Sequence, residues 1–375
     1  MIIEEYRESI NRLKVMKEKV EAMSTYLKYI LFSIIFSLCP CTFTNVEAVD
    51  QNLMFNVGYK VLECKHFYKE KENSLSVAVW YPASSRPKSH VYCGPAKGNV
   101  AVDGAINTKS GPYPLMVFSH GYGGTGLGSV FFTEALAGRG WIVVAPDHND
   151  KDSIARIRTG LVKGFDSRAF LKNAKVISDS GPDDRDSYLY RIEEMKGALE
   201  CILASDYFGS HIDKNKIAVG GHSFGGFTAL GLCGTIEEYL DNRIKAVLLF
   251  STGAGGYLFR ESELSMVKIP SMYIFGEKEK EQKRGSKTMM ELADKVFQNL
   301  PSPKYLLEIK GANHFSFVNR IKNGLMPVFF SGTKAQFDVI NNYSIAFLQK
   351  YAAGINSGNP VLEQKDPILN DYIVK

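Results

Sequence analysis

KIAVGGHSFGG, residues 216–226, is the stretch on which the reading of this chain turns. Asp213, Lys214 and Asn215 lead into the short β-branched and apolar run Ile217–Val219, the pattern of a buried strand. Downstream, FGGFTALGLCGT (224–235) spaces its apolar residues as a helix does. Gly221-His222-Ser223-Phe224-Gly225 between them is a G-x-S-x-G match in a strand–turn–helix context, where a serine is presented on a strained turn. The flanking glycines have a steric task there, because side chains at those positions would collide with the neighbouring strand and helix. Ser223 is therefore read as a nucleophile. An ordinary serine in a glycine-rich turn is the rival reading, and partners elsewhere in the chain decide between them.

Outward from the elbow, apolar runs alternate with helical patterns. PLMVFSH (114–120) and WIVVAPD (141–147) read as buried strands, joined by the glycine loop GYGGTGLG and the helix SVFFTEALAGRG. RDSYLYRIEEMKGALECILAS (185–205) is a long amphipathic helix leading to the elbow strand. IKAVLLFS (244–251), SMYIFGE (271–277) and KYLLEIK (304–310) read as further strands, with helices around KTMMELADKVFQNL and YSIAFLQKYAAG. Such alternation from about residue 113 predicts an α/β fold with a doubly wound, mostly parallel sheet, whose sites collect at the carboxyl ends of strands. Before it, YKVLECKHF and LSVAVWYPA read as adjacent strands joined by the polar turn YKEKENS, and residues 84–113, rich in Gly, Pro and Ser, as a surface excursion. Residues 149–183 break the alternation and read as a lid-like insertion over the carboxyl edge of the sheet. Its apolar residues Ile154, Leu161, Val162, Phe165, Phe170 and Leu171 suit contact with acyl chains, and GLMPVFF (324–330) reads as a second apolar wall. The rival reading packs both stretches on the body as ordinary loops.

A serine hydroxyl needs a base within hydrogen-bond reach. Of seven histidines, His314 in GANHFSF directly follows the last strand of the alternation and is the candidate base. His222 adjoins the serine, but on the elbow its side chain points away and suits packing. His120 ends a strand and suits a scaffold for the glycine loop, while His148 is a weaker candidate for the pocket wall. The acid that orients the imidazole is expected between Ser and His in chain order. After IKAVLLF the chain offers Ser251 and Thr252 but no acid; after SMYIF it offers GEKEKE. Glu279, three residues past Gly276, is the preferred acid, with Glu277 the alternative and the remaining glutamate a solvated charge. The oxyanion hole requires two backbone N–H groups. They are assigned to Phe224, directly after the nucleophile, and to Tyr122 in HGYGG, with Gly121 as the alternative to Tyr122.

The chain has 375 residues, 45% of them hydrophobic, and a formal net charge of +5 with scattered cations. No basic stripe with interleaved aromatics argues for nucleic acid as a partner. No Cys/His metal spacing occurs, and no cofactor or metal is expected. Residues 29–38, YILFSIIFSL, suit a signal-peptide core better than a membrane span, and Val46-Glu47-Ala48 supplies a cleavage site after Ala48. Residues 1–48 are thus read as a charged leader and signal peptide, with Met23 an alternative start, and 49–375 as a single domain that is secreted or extracytoplasmic. Retention as an anchor through residues 29–46 is the alternative. Of the cysteines beyond the leader, a Cys64–Cys93 disulfide is the pairing considered, with Cys201 and Cys233 as buried free thiols.

YPLMVFSHGYGG, KIAVGGHSFGG and SIAFLQKYAAG, together with NVGY and VAVWYPAS near the start, resemble the secreted (plasma-type) platelet-activating factor acetylhydrolases and, equally, the bacterial proteins called predicted dienelactone hydrolases that carry a serine nucleophile. The resemblance covers about residues 55 to 352 and implies an α/β-hydrolase fold with Ser223 as nucleophile, His314 as base, and Tyr122 and Phe224 as oxyanion donors. The chain departs from the acetylhydrolases where they place an aspartate after the strand matching IKAVLLF, and from the bacterial group in having glutamate rather than aspartate on GEKEKE. The implied activity is a serine carboxylic-ester hydrolase forming an acyl-enzyme, acting on short or oxidised acyl esters such as platelet-activating-factor-like phospholipids. Its partners would be a small-molecule or lipid ester, with peripheral contact to a lipid surface. The alternatives are a polyester or lipid-ester hydrolase with an open cleft, and a non-catalytic α/β-hydrolase-like binding protein. Dienelactone hydrolase itself uses cysteine, so its activity is not carried over.

Overall fold

The computed structural model describes residues 54–320, 331–355 and 360–375. The segment read as a leader with a cleavage site after Ala48, and the apolar stretch 324–330, lie outside the described residues.

The strands are β1 Asn56–Tyr68, β2 Lys71–Ala83, β3 Lys88–Cys93, β4 Ala96–Val102, β5 Tyr113–Ser119, β6 Ile142–Pro146, β7 Ile212–His222, β8 Ile244–Phe250, β9 Ser271–Gly276, β10 Lys304–Ile309 and β11 Leu369–Val374. They form one 11-stranded sheet in the order β11-β10-β9-β8-β7-β5-β6-β2-β1-β4-β3. From β10 to β6 every neighbouring pair is parallel, while β2 and β11 join this block antiparallel. The principal helices are α1 Val130–Gly138, α2 Ser167–Asp179, α3 Tyr190–Ala204, α4 Gly225–Leu230, α5 Met289–Asn299 and α6 Lys334–Tyr351.

The continuous apolar strands have a simple cause: both faces of the sheet are covered. Along β5, Leu115 and Val117 enter one core with Ile192 and Leu199 of α3, Phe227 of α4 and Val296 of α5. Met116 and Phe118 enter the other with Leu136 of α1 and Phe347 of α6. This is the doubly wound arrangement that the alternation predicts.

Three expectations need correction. The segment read as a surface excursion contains β3 and β4; they extend the sheet edge, β4 pairing with β1 through Gly58↔Ala101. The polar turn between β1 and β2 shrinks to Lys69 and Glu70, both at positive φ, so the hairpin strands run longer than their hydrophobic pattern. The third concerns the cysteines. Cys64 is bonded to Cys201, with Cα atoms 5.8 Å apart, and Cys93 is a free buried thiol. Cys64 lies in the core on the α3 side of the sheet and Cys93 in the core on the opposite side, so the expected pair faces away from itself. Cys233 is free and buried, as read. Beyond α6 the chain also adds β11, for which the sequence reading had no element.

Candidate active site

Each candidate side chain hangs from the carboxyl end of a central parallel strand. At the end of β7, Ser223 takes a φ of +55°, a left-handed conformation that serine rarely adopts. Its N–H donates to the Phe250 carbonyl at 2.9 Å, which anchors the turn to β8. The elbow glycines are sterically required: a Cβ on Gly221 would stand 2.3 Å from the Gly225 backbone, and one on Gly225 would stand 2.0 Å from the Ser119 carbonyl oxygen.

His314, past the end of β10, brings Nε2 to 2.9 Å from Ser223 Oγ. Its Nδ1 lies 3.0 Å from Glu279 Oε2. Glu279 sits on the turn after β9, where its other oxygen accepts the Gly276 N–H at 2.8 Å. The His314 side chain keeps 16% of its surface exposed while that of Glu279 is sealed, so the imidazole is reachable and its acid is dry. Ser223, His314 and Glu279 are thus brought together. Glu277 is not: its carboxylate turns outward and accepts the Gly311 N–H at 2.8 Å, which holds it below the ordinary carboxylate range.

Sequence reasoning passed over Ser251. It ends β8 at a φ of +48° and is fully buried. Its hydroxyl donates to Glu279 Oε2 at 2.5 Å and stands 2.6 Å from His314 Nδ1. The N–H of the imidazole is thereby shared between a carboxylate and a hydroxyl that is itself bonded to that carboxylate. The signal was present, since 251 is a strand-end position that had been searched for an acid.

Tyr122 and Phe224 flank the serine on two different loops. A Cβ on Gly121 would lie 3.0 Å from Ser223 Cβ, which puts the glycine loop directly against that serine. Among the described residues no acceptor takes the backbone N–H of Tyr122 or of Phe224. Unpaired N–H groups beside a nucleophile suit an oxyanion.

Three other histidines singled out in the sequence pack around this site. His222 donates from Nε2 to the His314 carbonyl at 2.9 Å, and burial, then the neighbouring His314, push its pKa well below the usual range. It braces His314 from behind. His120 donates from Nδ1 to the Gly121 carbonyl at 2.7 Å and accepts the His148 N–H at 3.0 Å, as a scaffold for the loop should. His148, read as a pocket-wall candidate, is instead fully enclosed between Ser119 and Glu194.

The segment 149–183 divides in two. Its first half is tied to the body: Asp147 accepts the Ile157 N–H at 2.5 Å, and Ala155 is buried. Its second half is α2, of which only Ile177 is buried. The ring of Phe170 on α2 stacks on Tyr122 at 5.7 Å, and Asp152 accepts from both the Tyr122 hydroxyl and Asn173 of α2. Of the apolar residues singled out here, Leu171 stands 64% exposed.

Comparison with known proteins gives a consistent result. The family described as platelet-activating factor acetylhydrolase, isoform II, matches residues 83–204 and 188–369. The platelet-activating factor acetylhydrolase of Cavia porcellus is 27% identical over 303 residues, covering 72% of this chain and 66% of that protein. That of Bos taurus is 25% identical over 342 residues, covering 80% and 74%. Among solved structures, a ferulic acid esterase from Streptomyces cinnamoneus superposes with a TM-score of 0.61 at 18% identity, covering 85% of this chain and 94% of that one. Its likeness is one of fold, the α/β-hydrolase fold.

Proposed function

Because the chain belongs to the platelet-activating factor acetylhydrolase, isoform II, family, a family of carboxylic ester hydrolases, we propose that it is a serine esterase working through an acyl-enzyme at Ser223. The observation that carries the proposal is the approach of His314 Nε2 to 2.9 Å from Ser223 Oγ. In this reading Ser223 Oγ attacks the ester carbonyl as His314 takes its proton. The N–H groups of Tyr122 and Phe224 receive the oxyanion, and His314 returns the proton to the leaving alcohol. Water then repeats the sequence on the acyl-enzyme. Glu279 holds the imidazole with Nδ1 protonated and stabilises the cation that forms. No cofactor or metal has a part in these steps.

The proposed substrates are short or oxidised acyl esters, of which platelet-activating-factor-like phospholipids are the type suggested by the relatives' names. A polyester-type open cleft fits less well with α2, which lies stacked over Tyr122. We assign to α2 the role of a lid and set the rest of the insertion aside as structural. Phe170→Ala is then expected to change the ratio of long-chain to short-chain ester turnover more than it lowers the melting temperature. The reverse result would return α2 to an ordinary surface helix.

The Cys64–Cys201 bond supports an oxidising, extracytoplasmic location, since such bonds persist there. Among the described residues no helix is long and apolar enough to cross a membrane. A mature chain starting at Val49 would support the signal-peptide reading, and an intact amino terminus on membranes the anchor.

The deciding experiment is covalent capture by a fluorophosphonate probe with mapping of the labelled peptide. Labelling at Ser223 is expected. A folded protein that takes no label would leave the binding-protein reading in its place.

A further inference from the structure

The first turn of α3 carries an arginine in an unusual position. Arg191 has no exposed surface, although an arginine stays charged at any ordinary pH. Burying such a charge costs several kcal/mol unless its surroundings compensate. Its partners bear on the loops that flank Ser223. The Nη2 group donates to the His120 carbonyl at 2.5 Å. The guanidinium lies 4.7 Å over the ring of Phe224. Its Nε faces Asp150 Oδ1 at 3.7 Å, and Nε and Nη1 have no hydrogen-bond partner among the described residues.

Asp150 is buried as deeply, and it accepts the Gly123 N–H at 3.0 Å and the Tyr190 hydroxyl at 2.8 Å. The ion pair therefore grips the glycine loop at two points. Arg191 holds the carbonyl of residue 120 and Asp150 holds the amide of residue 123. The peptide between them supplies the Tyr122 N–H. Arg191 also rests against Phe224, the residue that supplies the second N–H. One buried pair thus touches both arms of the oxyanion hole while touching neither Ser223 nor His314.

We infer that Arg191 and Asp150 are positioning residues of the oxyanion hole, holding the Tyr122 and Phe224 amides in place. The inference rests on the assignment of Ser223 as nucleophile. Preorganised donors act only while they are held in place, and a misplacement of about 1 Å can cost about a hundredfold in rate. Lysine cannot replace this arginine, because a point charge cannot stack on Phe224 and reach the His120 carbonyl together.

The test compares Arg191→Lys, Arg191→Met and Asp150→Asn with the unaltered protein, using a short nitrophenyl ester and a trifluoromethyl ketone that forms a tetrahedral adduct with the serine. Expected for both Arg191 variants is a fall in kcat of about tenfold to a hundredfold with KM within about twofold, as for a displaced oxyanion donor. Affinity for the ketone should fall in parallel. Asp150→Asn should lose less, since an amide oxygen can still accept from Gly123. A lower melting temperature with kcat per folded molecule and ketone affinity unchanged would make the pair merely structural and overturn the inference. If the Arg191 variants fail to fold, Asp150→Ala, which removes the acceptor of the Gly123 N–H, decides by the same two readouts, and unchanged ketone affinity rejects the role. Failure of the underlying assignment looks different: the unaltered protein would then show no adduct with the ketone at Ser223.

Discussion

Among the described residues there are two Ser–His–Glu arrays, and their geometry is nearly the same. In one, Ser223, His314 and Glu279 are linked at 2.9 and 3.0 Å. In the other, Ser119 at the end of β5 lies 2.7 Å from His148 Nε2, and His148 Nδ1 lies 2.8 Å from Glu194. The second array has the shorter distances but is closed off from solvent. Ser119 and His148 are fully enclosed, and Ser119 lies within a regular strand rather than on a strained turn. Its neighbours complete a buried network, with Asn149 donating to Glu194 through backbone and side chain. Burial pushes the His148 pKa well below its usual range, with the charges of Arg191 and Arg156 adding to the shift. Three linked side chains are therefore insufficient for a nucleophile. The array at Ser223 differs in having its serine half-buried on a strained elbow, a partly exposed imidazole and unpaired amides beside it.

The sharpest way to break this comparison is to remove each serine. Ser223→Ala should lower hydrolysis of a short nitrophenyl ester by about three to six orders of magnitude with the fold intact. Ser119→Ala should keep fluorophosphonate labelling at position 223. Label found on Ser119 instead would invert the assignment of the two arrays.

The acids come next. Glu279→Gln is expected to reduce kcat by about 10²- to 10⁴-fold, and Glu277→Gln to leave it within a few-fold. Because Ser251 Oγ already stands 2.6 Å from His314 Nδ1, Ser251→Asp in the Glu279→Gln background should recover part of the loss. Aspartate tolerates the left-handed backbone there. No recovery in a folded double variant would mean that the acid must approach from β9.

Glu194→Gln probes the buried array and should act on stability alone. A loss of about 1–3 kcal/mol in denaturant unfolding is expected, with kcat per folded molecule within a few-fold. A large fall in kcat at full stability would show that the two arrays are coupled.

The smallest effect is spectroscopic. His120, His148 and His222 each have a pKa pushed well below the usual value, first of all by burial. In each the neutral form is favoured in the folded state. Their imidazole resonances should therefore stay those of neutral rings as pH falls through about 6.5, where a free histidine is half protonated. Titration of His148 in that range would mean that the second array is open to water after all.

Particular elements show how far sequence reasoning reaches. Ser223, His314 and the Tyr122 loop each follow a single apolar strand directly, so periodicity alone brings them to one edge of the sheet. Arg191 was hidden because an amphipathic pattern assigns a charge on a helix to the solvent side, whereas here the charge faces inward. The β3–β4 hairpin was hidden because an edge strand buries less of itself and reads as loop. Asp150 was absorbed into an insertion whose first half proved to be part of the body.

What the sequence determined by itself is local: a strand, a tight glycine turn and a helix around Ser223, repeated βα units, and a histidine after the last strand of the parallel run. These follow from hydrophobic period and from the backbone freedom of glycine, properties of neighbouring residues. Only the tertiary structure decided which distant groups meet. Glu279 faces His314 while Glu277 faces Gly311, because the turn after β9 aims residues two apart in different directions. Cys64 meets Cys201 rather than Cys93 because opposite faces of a sheet cannot touch. One serine is half-buried on an elbow and another is sealed in a strand because burial is a property of everything packed around a residue, which no window of sequence contains.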